Sequence, residues 1–469
     1  MFSKILVLTL FLSTQAFASY EQADRTYGNG TISLAGYRRT IIELVDGGFY
    51  FSAIPWMKDY LVKNSSLDGE LEKALDRMLY VTSVKPFESL PEEILKRSRS
   101  ANVRYILAKR LLKKGDHQGS LAELRSIGSD STAYPFVSNM KGTVYSHLNN
   151  HREAEESFKD CISASERMIG RVKSQSQVNQ LTTNRDYCVA GIARVHYAKQ
   201  DYKKADLSYL DISKDSFVWP EILFEEAWSS YYVQNYNRTL GKLISYKAPV
   251  FEFVFKPEVE VLKALTYLKM CLYDDAKKTV DSFYDELLSP SRELRSSLMS
   301  HGKDYRYYYN LMADHEDNKP ARSELVNALL RSISKDAAYI ELKSSLSAAV
   351  GEYNLLRKKP NSSMRANLMK NVQTLLEEYR TIVGAYVRAG MVGKYAELYS
   401  AFQGMSYIKL EVLAQRKEQL YKAEPVQDNR KRGDVKYIDR NDKQYFWNFN
   451  GEFWADELGD YVFALRSEC

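Results

Sequence analysis

Five pairs of small residues, each pair twelve positions apart, recur between Ala101 and about Leu288: Ala108 and Ser120, Gly142 and Ala154, Ala193 and Ala205, Ala227 and Thr239, Ala264 and Ala276. A small residue on each of two consecutive helices lets their backbones approach closely, so the pairs predict helix hairpins. A turn lies between the members of each pair: Gly115-Asp116-His117, Asn149-Asn150-His151, Gln200-Asp201-Tyr202, Gln234-Asn235-Tyr236 and Cys271-Leu272-Tyr273. Apolar residues follow the second small residue at helical spacing, as in Leu124 and Ile127, Phe158 and Cys161, or Val280 and Phe283. The units begin near 101, 135, 186, 220 and 257, which are 34, 51, 34 and 37 residues apart.

A step of 34 residues is that of a helix-turn-helix repeat. The segments Gly142-x2-Tyr145-x8-Ala154-x3-Phe158 and Ala264-x2-Tyr267-x5-Tyr273-x2-Ala276 resemble the tetratricopeptide repeat (TPR) superfamily. The resemblance extends over roughly 190 residues, and Gly47-Gly48-Phe49-Tyr50-x2-Ala53 resembles one more, degenerate repeat. It implies an all-α chain built on a right-handed TPR-like solenoid of about six helix hairpins. The longer step between the units at 135 and 186 is expected to come from longer helices around Ser174–Gln177.

The rest of the chain is organised around that array. Met1–Ala18 carries Lys4, an apolar run from Ile5 to Leu12 and Ala16-Phe17-Ala18, the pattern of a cleaved export signal. A membrane anchor is the alternative, but the run is too short to span a bilayer. No later stretch reaches the length of a spanning helix, so the expectation is a protein exported to the bacterial periplasm with no membrane span. Residues 34–100 read as a helical cap holding the degenerate repeat, and 101–290 as the solenoid. Heptad-like steps through Leu368, Val372, Leu375, Tyr379, Ile382 and Tyr386, and again from Tyr395 to Met405, predict three long helices over 321–421. Arg430-Lys431-Arg432 falls in a charged, loop-like stretch. Residues 445–469 read as an aromatic β-hairpin tail turning at Asn450-Gly451, with Tyr461–Leu465 as a further strand. Trp447, Phe449, Phe453 and Trp454 offer more apolar area than a small hairpin hides, so they must cover something: the long helices, as a clasp, or a partner. The run W-N-F-N-G-E-F-W-A-D-E-L-G-D-Y resembles the end of exported TPR proteins associated with gliding motility and envelope machinery in predatory and gliding bacteria.

Export permits disulfides, and the cysteines number 4. Cys161 and Cys188 lie about equally far from the Ser174–Gln177 break, so a hairpin turning there brings their sulfurs together. The alternative is that Cys161 fills an apolar position as a free thiol. Cys271 and Cys469 form the remaining pair by elimination.

Little in the sequence points to chemistry. Histidines number 6, and the turn Asn149-Asn150 separates His147 from His151, so no pair has the spacing of metal ligands on one helix face. Phosphate loops, dinucleotide fingerprints and nucleophile elbows are absent, and no cofactor is expected. The adjacent acids Glu225-Glu226, Asp274-Asp275 and Glu377-Glu378 diverge by about 100 degrees on a helix and read as solvated faces. The net charge of +6 is spread through the helices rather than gathered into a nucleic-acid-binding tract.

The TPR resemblance implies a concave wall made by the first helix of each unit, with helix positions 2, 5, 9 and 12 facing inward. Those positions supply Tyr105, Lys109, Phe136, Asn139, Tyr187, Arg194, Tyr197, Phe224, Trp228 and Tyr231. Rings interleaved with Lys109 and Arg194 suit an extended peptide or an amphipathic helix. Packing between neighbouring first helices is the competing use of the same rings. The subgroup that grips a free carboxyl terminus carries Lys at position 5 and Asn at position 9; this chain does not repeat them. The expected function is a non-enzymatic scaffold or adaptor for protein partners of a cell-envelope machine serving motility, secretion or outer-membrane assembly. A peptidoglycan- or glycan-binding module is the alternative, and a hydrolase without recognisable motif comes third.

Overall fold

Ser33, Ser100, Asp116, Asp201, Asn235, Asp304 and Ser323 each stand just before a helix, and each side chain accepts a hydrogen bond from the backbone N–H three residues on. These caps satisfy donors that have no partner inside the helix. In the computed structural model, which describes residues 19–28, 33–64, 68–82, 84–88, 90–319, 323–422, 435, 438, 440 and 442–469, they open helices of an otherwise all-α chain. The export signal read in Met1–Ala18 and the basic run Arg430–Arg432 lie outside the described residues.

The helices are α1 (19–27), α2 (Leu34–Asp46), α3 (Tyr50–Lys63), α4 (Gly69–Thr82), α5 (Glu92–Leu95), α6 (Ala101–Lys113), α7 (His117–Arg125), α8 (Tyr134–His147), α9 (His151–Ile169) and α10 (Gln175–Ala198). They continue with α11 (Tyr202–Tyr209), α12 (Trp219–Tyr232), α13 (Tyr236–Ile244), α14 (Glu258–Lys269), α15 (Tyr273–His301), α16 (Tyr305–Glu316), α17 (Glu324–Ser334), α18 (Ala337–Arg357) and α19 (Ser363–Lys422). Two short strands, β1 (Trp447–Asn448) and β2 (Tyr461–Val462), form the one sheet among the described residues. None of the described helices is long and apolar enough to cross a membrane.

Two compact units result. The first takes the described residues up to Leu148 together with Ala337–Gly384; the second takes Asn149–Asp336 and Ala385–Cys469. In the first, α1–α6 share one core with α18 and the 349–379 stretch, including Leu44, Met57, Leu75, Leu368 and Tyr379. The Glu352 carboxylate of α18 accepts from the N–H groups of Phe51 and Ser52 at 2.9 and 2.7 Å, at the unsatisfied start of α3. Burial pushes the pKa of Glu352 up, while these hydrogen bonds oppose the shift.

In the second unit α9 and α10 run as a long pair joined through Arg171–Ser174, and Cys161 and Cys188 form a disulfide across it. Gly191 lets Phe158 lie against the α10 backbone, since a Cβ there would meet the ring at 2.7 Å. The next hairpins turn at Gln200, Gln234 and Cys271, all with left-handed φ of 62°, 63° and 58°. The following N–H of Asp201, Asn235 and Leu272 donates back to the carbonyl five residues earlier, on His196, Ser230 and Tyr267, closing the helix end in the Schellman manner.

The expected end of the array at 290 is not a helix end: α15 continues through Pro290 to His301. Of the three helices expected over 321–421, the first is only 11 residues long (α17), whereas α19 continues through Gly390 and Gly393 for 60 residues. In the second unit α19 packs on α15, with Phe402 and Phe283 ring centroids 5.0 Å apart and the Tyr284 hydroxyl donating to the Phe402 carbonyl at 3.2 Å.

The tail departs from the sequence expectation. β1 and β2 pair in parallel, Trp447 beside Tyr461 and Asn448 beside Val462, so Asn450-Gly451 opens a connecting loop instead of a hairpin. Parallel pairing prevails because the rest of the tail backbone is satisfied by α13. Phe463 N–H donates to the Asn237 carbonyl at 3.1 Å, and the Asn237 amide exchanges two 3.0 Å hydrogen bonds with the backbone of Leu465. The tail is therefore a clasp, but on the repeat helices rather than on 321–421. Phe449 and Phe453 pack around buried Tyr461, whereas Trp447 and Trp454 remain 45% and 56% exposed. Cys271 and Cys469 close the clasp with the second disulfide.

Gly241 on α13 is the point of closest approach, because a Cβ there would overlap the Tyr461 carbonyl. Gly241→Ala is expected to cost about 1–3 kcal/mol and lower the thermal unfolding midpoint. Gly393→Ala, with nothing within 4 Å of the added carbon, is expected to be neutral or stabilising by up to about 1 kcal/mol. Circular dichroism melts of the two variants check the contrast.

Candidate interaction surface

In two consecutive hairpins of the second unit the small pair is bracketed by rings. Ala193 precedes Tyr197 by four residues and Ala205 follows Tyr202 by three; Ala227 precedes Tyr231 and Thr239 follows Tyr236 in the same way. Close helix approach at the small residues therefore draws these rings together at the turn end of each hairpin. Tyr197 and Tyr202 meet edge to face at 5.2 Å, and Tyr231 meets Tyr236 at 5.5 Å. Tyr232 joins the hairpins: it stacks on Tyr202 at 4.6 Å and 12° and on Trp228 at 5.8 Å and 29°. Tyr232 keeps 45% of its surface exposed, so this ladder presents ring area to solvent.

The ten residues expected on an inner wall are distributed differently. Tyr105, Lys109, Phe136 and Asn139 belong to the first unit and the other six to the second. Tyr197, Trp228 and Tyr231 come together in the ladder, although Tyr231 is itself buried. Phe224 is buried too, among Ala227, Leu243, Val259 and Leu262, with the Lys256 ammonium 4.6 Å above its ring. Both are core residues, the competing use anticipated for such rings. Tyr105 packs on the cluster of α6–α8, and Tyr187 on the cluster of α10–α12. Phe136 and Asn139 are half-buried.

Both expected cations already face carboxylates of this chain. The Arg194 guanidinium forks onto Glu225 at 2.8 and 2.8 Å and reaches Glu221 at 3.0 Å. The Lys109 ammonium lies 3.7 Å from Glu88, and burial pulls its pKa down. Val261, the fifth residue of the unit beginning at 257, faces α19, where an added Cβ on Gly404 would come within 2.9 Å of it. The sequence marks Tyr202 and Tyr236 only as turn residues and gives Tyr232 no place on the expected wall. The offset that Tyr202 and Tyr236 share, three residues before the second small residue, is the signal that identifies those two.

The same helices also hold a buried ionic layer. Lys242 pairs with Glu226, both almost fully buried, and burial pushes the Glu226 pKa up against the pull of Lys242. Arg238 meets Asp206 at 3.1 Å, and Asp206 also accepts from Ser230 at 3.1 Å and from Gln444 of the tail at 3.3 Å. Glu226 is thus an interior residue, not the solvated one its sequence suggested. Glu225 points elsewhere, accepting from Arg194 and, at 2.8 Å, from the Tyr209 hydroxyl.

Removing one partner of the buried pair strands the other charge. Lys242→Met is expected to cost about 3–5 kcal/mol in urea unfolding, and Lys242→Met with Glu226→Met to recover most of it. Tyrosine burial sets a pH window as well. Burial, followed by the neighbouring Tyr236 and Tyr232, pushes Tyr231 up to about 12; burial followed by the Glu221 charge does the same for Tyr187. A phenol whose folded pKa is raised holds its proton longer folded than unfolded. Its stabilisation is therefore complete below about pH 10 and is lost as pH rises toward about 12. Chemical unfolding across that range is expected to show the loss, with tyrosinate absorbance of these rings appearing late.

No protein-family model matches the chain, and no curated protein matches it in sequence.

Proposed function

We propose that this chain is an exported, non-enzymatic adaptor of TPR-like repeats that joins protein components of a bacterial envelope machine, with the aromatic ladder of its second unit as the contact surface. The observation that carries this reading is the exposed ring of Tyr232 stacked between Tyr202 and Trp228. Such an array presents flat apolar area with its packing already fixed, which limits the entropy lost when a partner docks. The edge is charged through Glu221 and Glu225, and it suits an extended peptide or amphipathic helix carrying apolar anchors.

Two disulfides favour an oxidising compartment. Together with the signal pattern of Met1–Ala18 this supports export, and we assign the periplasm. The envelope context rests on the resemblance of the tail to exported TPR proteins. Stacked rings also suit sugar faces, which keeps peptidoglycan as the second reading.

Tyr232→Ala and Trp228→Ala, with melting unchanged, are expected to abolish recovery of defined envelope proteins by capture from cross-linked cells. Recovery unaffected by both substitutions removes the ladder as the contact surface. Sedimentation with purified, protein-free peptidoglycan that depends on the same two rings replaces the adaptor by the glycan-binding reading.

A further inference from the structure

The face of α19 turned away from α15 carries the wrong residues for a solvated surface. Its buried side is Leu398, Ala401, Met405, Ile408 and Val412. The opposite side steps by fours and threes through Val392, Ala396, Tyr399, Gln403, Ser406–Tyr407, Leu410, Leu413–Ala414, Lys417 and Tyr421, with Ser406 at its α15 edge, where its hydroxyl lies 3.1 Å from that of Tyr284. From Val392 to Ala414, about 33 Å of helix, that side bears no charged residue. A surface helix ordinarily places its charges there.

We infer that this face pairs, antiparallel, with the same face of a second copy of the chain, about a two-fold axis between Ser406 and Tyr407. An isologous contact must be complementary to itself, and residue size along the stripe satisfies that condition. The axis sets Tyr399 opposite Ala414, Tyr407 opposite Ser406, Leu410 opposite Gln403 and Tyr421 opposite Val392, each large residue meeting a smaller one. Lys417 falls opposite Ala396, where its stem lies along the methyl group and its ammonium reaches water. From Val392 to Ala414 the stripe has no charge with which to select a charged partner, and Lys417 is its one charged residue.

The area is sufficient. Tyr399, Tyr407 and Tyr421 are 56%, 74% and 80% exposed, Leu410 and Leu413 65% and 50%, and Val392 37%. At about 200 Å² per tyrosine and somewhat less per aliphatic residue, each copy offers roughly 600–700 Å². Two copies then exceed the ~1,000 Å² total that a specific interface needs.

The test is sedimentation velocity of the exported chain across the micromolar range. The expected result is twice the monomer mass, with Tyr407→Glu plus Leu410→Glu shifting it to the monomer while helicity and melting stay unchanged. A monomer at every concentration, or a dimer that the double substitution does not shift, overturns the inference. Single-cysteine cross-linking needs no charge at the interface and reads the direction of pairing. The four native cysteines are all in disulfides, so an introduced thiol is the only free one. Ser406→Cys is expected to form an intermolecular disulfide on mild oxidation. Val392→Cys is not, because antiparallel pairing holds its two copies about 43 Å apart; cross-linking at 392 but not at 406 overturns the antiparallel arrangement.

Discussion

Contact between two helices at a pair of small residues is the constraint on which the hairpins depend. Ala108, Ser120, Ala193, Ala205, Ala227, Thr239, Ala264 and Ala276 are all wholly buried. Where the second member is a hydroxyl residue it also bonds across the hairpin: Ser120 donates to the Ala108 carbonyl at 2.9 Å, and Thr239 to that of Ala227 at 3.5 Å. The turn must then reverse the chain within a few residues, which puts one residue in the left-handed region. Gly115 adopts it without cost, whereas Gln200, Gln234 and Cys271 are strained by about 1–2 kcal/mol each. Schellman hydrogen bonds and, at Gln200 and Gln234, the Asp201 and Asn235 caps offset that strain. The same geometry fixes where rings flanking the small pair can go, and so produces the ladder.

What was legible in the sequence followed from local rules. Small-residue spacing located the hairpins, and the five turn triplets contain the residues that take positive φ: Gly115, Asn149, Gln200, Gln234 and Cys271. Equal distance from a polar break was enough to pair Cys161 with Cys188, because it amounts to facing positions on two antiparallel helices. Illegible features depend on long-range partners. The parallel pairing of Trp447–Asn448 with Tyr461–Val462 is imposed by Asn237 and Gly241, more than two hundred positions away, while Asn450-Gly451 looks locally like a hairpin turn. Arg194 looked available because Glu221 and Glu225 lie nearly a full repeat further along the chain. Glu226 looked solvated because helical spacing alone does not place Lys242 beside it.

The clasp shows how a weak element is held in place. Two two-residue strands have no stability of their own. Their backbone is instead completed by a helix that lacks a side chain at Gly241 and supplies an amide at Asn237. The Cys271–Cys469 bond closes a long loop, so the chain-entropy account assigns it about 5 kcal/mol of unfolded-state restriction. Gln444 reaches Asp206 in the buried ionic layer, and the tail is thereby tied to the polar interior of the hairpins as well as to their surface.

Ladder and helix stripe are both tyrosine-bearing, yet their surroundings differ in a way that separates their uses. Around the ladder, Glu221, Glu225 and Arg194 form a fixed pattern of charge that rewards a complementary partner and penalises others. On the exposed stripe of α19 between Val392 and Ala414 no such pattern exists. Selection there can come only from shape, and the shape most reliably matched to a surface that alternates large and small residues is that surface turned through a two-fold axis. A charged edge and a chargeless one on the same unit are what a protein needs if it is to recognise a different molecule at one place and its own copy at another.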